Sequence, residues 1–143
     1  MPFKEDQSAP ALWFELEIQG KAIGYFTEVT GLSAEVETLK YSEGGMNEFQ
    51  HTLPTRVKYP NLVLKRGMTT KVDLQTWFQK SHTQAERTTI SLTMLDQEGT
   101  TIRTWSFVNA YPVKWVGPNF NAGQGALAVE QIEIAHEGLQ AVS

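Results

Sequence analysis

The 143 residues predict a mainly β fold: an antiparallel β-sandwich or barrel with one short flanking α-helix and one long polar β-hairpin. Three observations carry this. Seven or eight short runs alternate apolar and polar residues with period two, and Gly- or Asp-containing turn signals separate them. One segment alone shows the helical spacing i, i+3, i+4. And the stretch Ser33–Lys65, SAEVETLKYSEGGMNEFQHTLPTRVKYPNLVLK, reads as two long arms joined by a turn at Gly44-Gly45, with a further strand returning after Pro60.

Residues 1–10 are polar, carry two prolines and read as an arm. From Ala11 a strand begins, with Leu12, Phe14, Leu16 and Ile18 on one face and Glu15, Glu17 and Gln19 on the other. Gln19-Gly20-Lys21 is a tight turn. A second strand spans Ala22–Thr30, with Ile23, Tyr25 and Phe26 supplying bulk, and Gly31 breaks it. Beyond the hairpin, Thr70-Lys71-Val72-Asp73 has the form of a capping box. Leu74, Trp77 and Phe78 then make one apolar face of a helix over roughly 71–81, docked on a sheet. Lys80 and His82 fall in its last turn, where cations suit the helix dipole.

Thr88–Leu95 alternates through Ile90, Leu92 and Met94 and turns at Asp96–Gly99. Thr101–Val108 returns. Asn109–Val116 reads as a separate segment, an edge or a bulge, because Pro112 cannot donate to a ladder. Gly117–Gly125 is a surface loop. Ala126–His136 closes the fold, and its mixed parity (Leu127 and Val129 against Ile132 and Ile134) predicts a bulge near Glu130-Gln131. A single domain over 1–143 accommodates all of this, at a size that buries about two thirds of the unfolded surface.

Composition excludes several functions. The net charge of −4 gives no reason for tight nucleic-acid binding. Lys58, Lys65 and Arg66 around Tyr59 are a weak signal against that balance. Without cysteine there is neither a disulfide nor a thiolate metal site. The first residues lack a signal peptide's basic and apolar regions, and no run is long enough to span a membrane. A particle that ends up outside the cell would have to leave by another route, such as lysis.

Catalytic constellations are not found. His51, His82 and His136 are scattered and read as satisfied or solvent-facing side chains. No G-x-S-x-G elbow occurs, and the glycine loop lacks the Lys-Ser/Thr ending of a phosphate loop. Glu15/Glu17 and Glu35/Glu37 share strand faces, a spacing that suits a divalent cation or, more simply, a polar face. No cofactor is implied.

What remains is the hairpin. A two-stranded ribbon this polar is marginal alone, and its unpaired edges invite another chain. Here a resemblance enters. GYFTEVTGLSAEVETLKYSEGG (Gly24–Gly45), HTLPTRVKYPNLVLKRGMT (His51–Thr69), LQTWF (Leu74–Phe78), NAYPVKW (Asn109–Trp115) and HEGL (His136–Leu139) together resemble the tail tube family of contractile phages and phage-tail-like injection systems. The match runs from about Phe14 to Leu139.

The resemblance implies a structural, non-enzymatic subunit whose hexameric rings stack head-to-tail into a hollow inner tube within a sheath. The ribbon would line the lumen, with Glu35, Glu37, Lys40, Glu43, Gly44, Gly45, Glu48, Arg56 and Lys58 as its lumen and inter-subunit residues. These hold four carboxylates against three cations, a mixed wall that should not retain passing cargo. Implied partners are copies of itself, sheath, baseplate or tube-initiator and spike-complex proteins, and a protein or DNA cargo. The arm, the 40–48 tip and 117–125 are candidates for ring-to-ring contact. The competing readings are a monomeric small-molecule-binding β-barrel, lined by Trp13, Trp77, Trp105 and Trp115, and a hydrolase or isomerase on a small barrel. The ribbon argues against the first, because a closed binder should alternate apolar residues on most strands.

Overall fold

In the computed structural model, residues 12–42, 50–67, 72–84, 86–117 and 129–142 are described. β1 (Trp13–Ile18) and β2 (Lys21–Phe26) form a tight hairpin through Gln19 and Gly20, at φ 54° and 80°. Two consecutive positive φ values match the right-handed twist of the strands they join. β1 pairs on its other edge with β7 (Thr88–Leu95), and β7 with the first half of the 16-residue β8 (Thr101–Val116). The second half of β8 pairs with β9 (Val129–Ala135), β9 with β6 (Leu62–Gly67), and β6 with β3 (Glu28–Thr30). β10 (Gly138–Ala141) adds to β8 over Trp105–Val108.

Two strands pass from one layer to the other and close the body. β8 does so through Asn109, at φ 51°, and through a register shift at Pro112. β2 does so by running into β3 across Thr27 alone, whose N–H donates to the Lys65 carbonyl at 3.0 Å. The strand path β2-β1-β7-β8-β9-β6-β3 therefore returns to its start. Leu16, Phe26, Leu62, Leu64, Ile90, Leu92, Phe107, Ile132 and Ile134 fill the interior with no exposure. Each such side chain contributes about 1.5–3 kcal/mol of transfer free energy. α1 (Asp73–Gln84) lies along β8, with Leu74 fully buried and Trp77 against the core. Asp73 caps it, accepting the Leu74 N–H at 3.1 Å.

Beneath α1 lies a buried polar network. The Arg66 guanidinium donates from Nε to Glu130 Oε1 at 2.9 Å and from Nη2 to Asp73 Oδ1 at 3.2 Å, and it sits 5.1 Å from the Phe26 ring centroid. Glu130 Oε2 accepts the Trp115 indole N–H at 2.9 Å. Arg66 is 4% exposed and Glu130 1%. One ion pair thus ties together β2, β6, β8, β9 and α1.

Several expectations require correction. The helix begins at Asp73 and ends at Gln84, later than 71–81 at both ends, so Lys80 is not in its last turn. Thr70 of the expected capping box lies outside the described residues. The second strand is two, broken at Thr27, and Tyr25 points outward at 54% exposure instead of adding core bulk. Thr101–Val108 and Asn109–Val116 are one strand. Of the two settings expected for its proline, an edge or a bulge, the second holds: Pro112 sits at a register shift within a strand paired on β9. β9 has no bulge: its pairing with β6 is continuous, and the inward residues are Glu130, Ile132, Ile134 and then His136. Val129 is 42% exposed. The apparent parity conflict arose from taking a buried glutamate for a surface one. β10 was not anticipated.

Candidate functional site

Gly31 ends the body and begins the ribbon. It adopts φ 95°, and its Cα lies so close to the Asn61 carbonyl that a Cβ would collide with that backbone. Only glycine fits this crossing, which brings both ends of the ribbon to one root.

From the root extend β4 (Glu35–Ser42) and β5 (Gln50–Lys58), an antiparallel pair that forms a sheet of its own. No body strand hydrogen-bonds to either one among the described residues. The register places Glu35 opposite Lys58, Val36 opposite Val57, Glu37 opposite Arg56 and Leu39 opposite Leu53. A bulge between Glu37 and Thr38 leaves Thr55 without a partner, and its hydroxyl donates to the Glu37 carbonyl at 2.8 Å.

Period two and this register put like with like. One face carries Glu35/Lys58, Glu37/Arg56 and then Leu39/Leu53, and the other carries Val36/Val57 and then Lys40. The Arg56 guanidinium donates from Nε to Glu37 Oε2 at 2.8 Å. That hydrogen bond and the arginine's charge lower the Glu37 carboxyl below its usual range and raise Arg56. Both groups stand in water, so the pair organises the ribbon more than it stabilises it.

Its apolar residues are bare. Val36 is 50% exposed, Val57 47%, Leu39 56% and Leu53 45%, whereas Leu16, Leu62, Leu64, Leu74 and Leu92 of the body are fully covered. Exposed valine and leucine pairs on both faces of a ribbon with two open edges are the surface of an element made to be covered.

The remaining site residues fall as follows. Lys40 and Lys58 are exposed, while Glu43, Gly44, Gly45 and Glu48 lie outside the described residues, as do the arm and most of 117–125. Phe78 stacks on His82 with centroids 6.2 Å apart, at a groove that also takes in Ser81, Arg87, Tyr111 and Pro112. The four tryptophans do not share a pocket: Trp13 is 42% exposed, and Trp115 is held by Glu130. The structure sets Glu35 and Glu37 across the ribbon from Lys58 and Arg56, with Glu37 ion-paired to Arg56, in place of a cation site. Among the described residues no three histidines or carboxylates converge, and no helix is long and apolar enough to cross a membrane.

Sequence reasoning missed the Arg66–Glu130 network and the setting of His136. Arg66 shares its parity with buried Leu62 and Leu64, and Glu130 with Ile132 and Ile134. That alternation was the available signal.

A closed β body carrying a detached ribbon with bare apolar pairs defines a self-assembling protomer. The comparisons specify which. Residues 10–140 match the family model described as T4-like virus tail tube protein gp19, and the chain belongs to that family. It is 25% identical to a chain of the PVC sheath–tube complex of an extracellular contractile injection system in its extended state. The TM-score is 0.77, over 96% of this chain and 94% of that one. A chain of the anti-feeding prophage baseplate has the same fold at 20% identity and TM-score 0.77, covering 99% and 96%. Hcp1 from Flavobacterium johnsoniae shares the fold more distantly, at 17% identity and TM-score 0.55 over 90% and 94%. None of the curated proteins matches the chain.

Proposed function

We propose that this protein is the structural subunit of a hollow inner tube in a contractile tail or injection particle. It forms hexameric rings that stack head-to-tail inside a sheath. The carrying observation is the ribbon: eight cross-strand pairs with no hydrogen bonding to a body strand among the described residues, and apolar residues bare on both faces. Flanking copies satisfy its edges and cover those residues, and barrel closure around a ring removes the edge altogether. Family membership and the 25% likeness to a chain of a sheath–tube complex support the same reading.

On this reading the chain works as one domain with residues 1–10 as an arm, and its role is geometric instead of catalytic. The charged face with Glu35/Lys58 and Glu37/Arg56 lines the lumen, where paired charges present a neutral wall to protein or DNA cargo. A heterologous ring-to-ring contact propagates without closing and so builds a tube. Sheath, baseplate, initiator and spike proteins are its partners outside the ring. Assembly takes place in the cytoplasm before the particle leaves. Negative-stain microscopy of the purified full-length protein tests this. Rings or tubes are expected, and uniform monomers under all conditions overturn the reading.

A further inference from the structure

The ribbon meets the body at an aromatic clamp whose middle member is a histidine. Tyr59, in the link between β5 and β6, lies with its ring 5.4 Å from the His136 ring. On the other side the Phe107 ring of β8 packs edge-on against His136 at 4.8 Å. His136 is nine-tenths buried. Its Nδ1 lies 3.2 Å from the Gly138 carbonyl, which makes that nitrogen the protonated donor. Its Nε2 is buried and makes no close hydrogen bond among the described residues, although the Pro60 carbonyl lies near enough to the ring to favour its protonation weakly. A neutral imidazole fits this setting. A second proton on Nε2 would place a charge between two aromatic rings, away from water.

We infer that His136 is an acid-sensitive latch: it holds the ribbon's root in the geometry that rings require while neutral, and releases Tyr59 when protonated. The inference rests on the tube reading and adds regulation to it. Among the described residues no carboxylate is placed to stabilise the charged ring. Glu137, the nearest along the chain, is engaged by Arg87 at 2.6 Å and Asn109 at 3.5 Å. Glu133 is held by Asn61 at 2.7 Å, and Lys58 faces Glu35 across the ribbon. Phe107 is flanked by Ser106 and Val108, and β10 carries no ionisable side chain.

Burial is the largest influence on His136 and pushes it below 6.5, against smaller opposing effects of the Gly138 and Pro60 carbonyls. With the folded value depressed, the unfolded or released state takes up the proton first as pH falls. The latch is therefore whole above about pH 6.5 and is lost as the pH drops from there.

The test compares wild type with His136→Phe, which keeps the aromatic stack and removes the titration. Ring and tube content is read by sedimentation and microscopy from neutral pH down to about 5.3, a unit above the ordinary glutamate value of about 4.3, so that glutamates stay charged. Wild-type rings should dissociate within that interval while His136→Phe rings persist. The same acid profile for both overturns the latch. Should His136→Phe fail to fold, the wild-type NMR titration decides. A His136 value below 6.5, with the Tyr59 ring signals moving in parallel, supports the latch; a titration that leaves Tyr59 unmoved, or a value at 6.5 or above, refutes it. Absence of rings at neutral pH would count against the tube reading instead, and the NMR titration would still report on the clamp.

Discussion

The body and the ribbon are both antiparallel β-structure, yet they are stabilised in opposite ways. In the body, β1, β6, β7 and β9 each have a paired neighbour on both edges and bury at least two side chains of one face in the core. In the ribbon each strand has one neighbour and neither face is covered. Leu92 and Leu39 make the point residue by residue: the first is fully buried, the second 56% exposed. Leu92 contributes to the free energy of folding, whereas Leu39 can contribute chiefly to association. The same secondary structure serves stability in one region and assembly in the other.

Proline in the ribbon should separate the two most sharply. Val36→Pro removes a backbone donor from β4. Rings should disappear by sedimentation, while the protomer melts within a few degrees of wild type. Rings that persist unchanged would mean that β4 is not an inter-subunit strand. In the body, Glu130→Ala leaves the buried Arg66 with Asp73 alone as its carboxylate partner and should cost about 3 kcal/mol in denaturant unfolding. Replacing both partners, Arg66→Met with Glu130→Leu, should recover most of that loss, since a buried ion pair rarely outperforms apolar packing. Leu92→Ala should cost about 2–5 kcal/mol, a cavity in a filled core, while Leu39→Ala leaves folding nearly unchanged and weakens assembly.

The smallest effect is expected at the exposed ion pair. Arg56→Ala should leave the melting temperature unchanged and return the Glu37 carboxyl to its ordinary range by NMR titration. The lowered Glu37 contributes stability only above its unfolded value of 4.5, lost as pH falls from there. Full solvation and salt screening keep that contribution small.

Much of this contrast was legible in the sequence. β7 and its turn were read with their observed limits, because Ile90, Leu92 and Met94 alternate cleanly between polar neighbours. The ribbon announced itself by polarity, since nothing within the chain could cover Val36, Leu39, Leu53 and Val57. Other features were hidden for physical reasons. Pro112 left an edge and a bulge both open because a proline's effect on a ladder depends on which way its nitrogen faces, and register decides that. Glu130 and Arg66 looked like surface charges because their partners come from elements far along the chain. His136 looked ordinary because the rings on either side of it, Tyr59 and Phe107, lie 77 and 29 positions away. Local pattern reports what a residue needs, and only tertiary structure reports what meets that need.

Hydrogen exchange on rings and on dissociated protomers tests the central claim most directly, namely that the ribbon is ordered by its neighbours and the body by itself. In dissociated protomers the amides of β4 and β5 should exchange rapidly while those of β1, β7 and β9 stay protected. In rings both sets should be protected. Ribbon amides as slow in the protomer as in the ring would contradict the account.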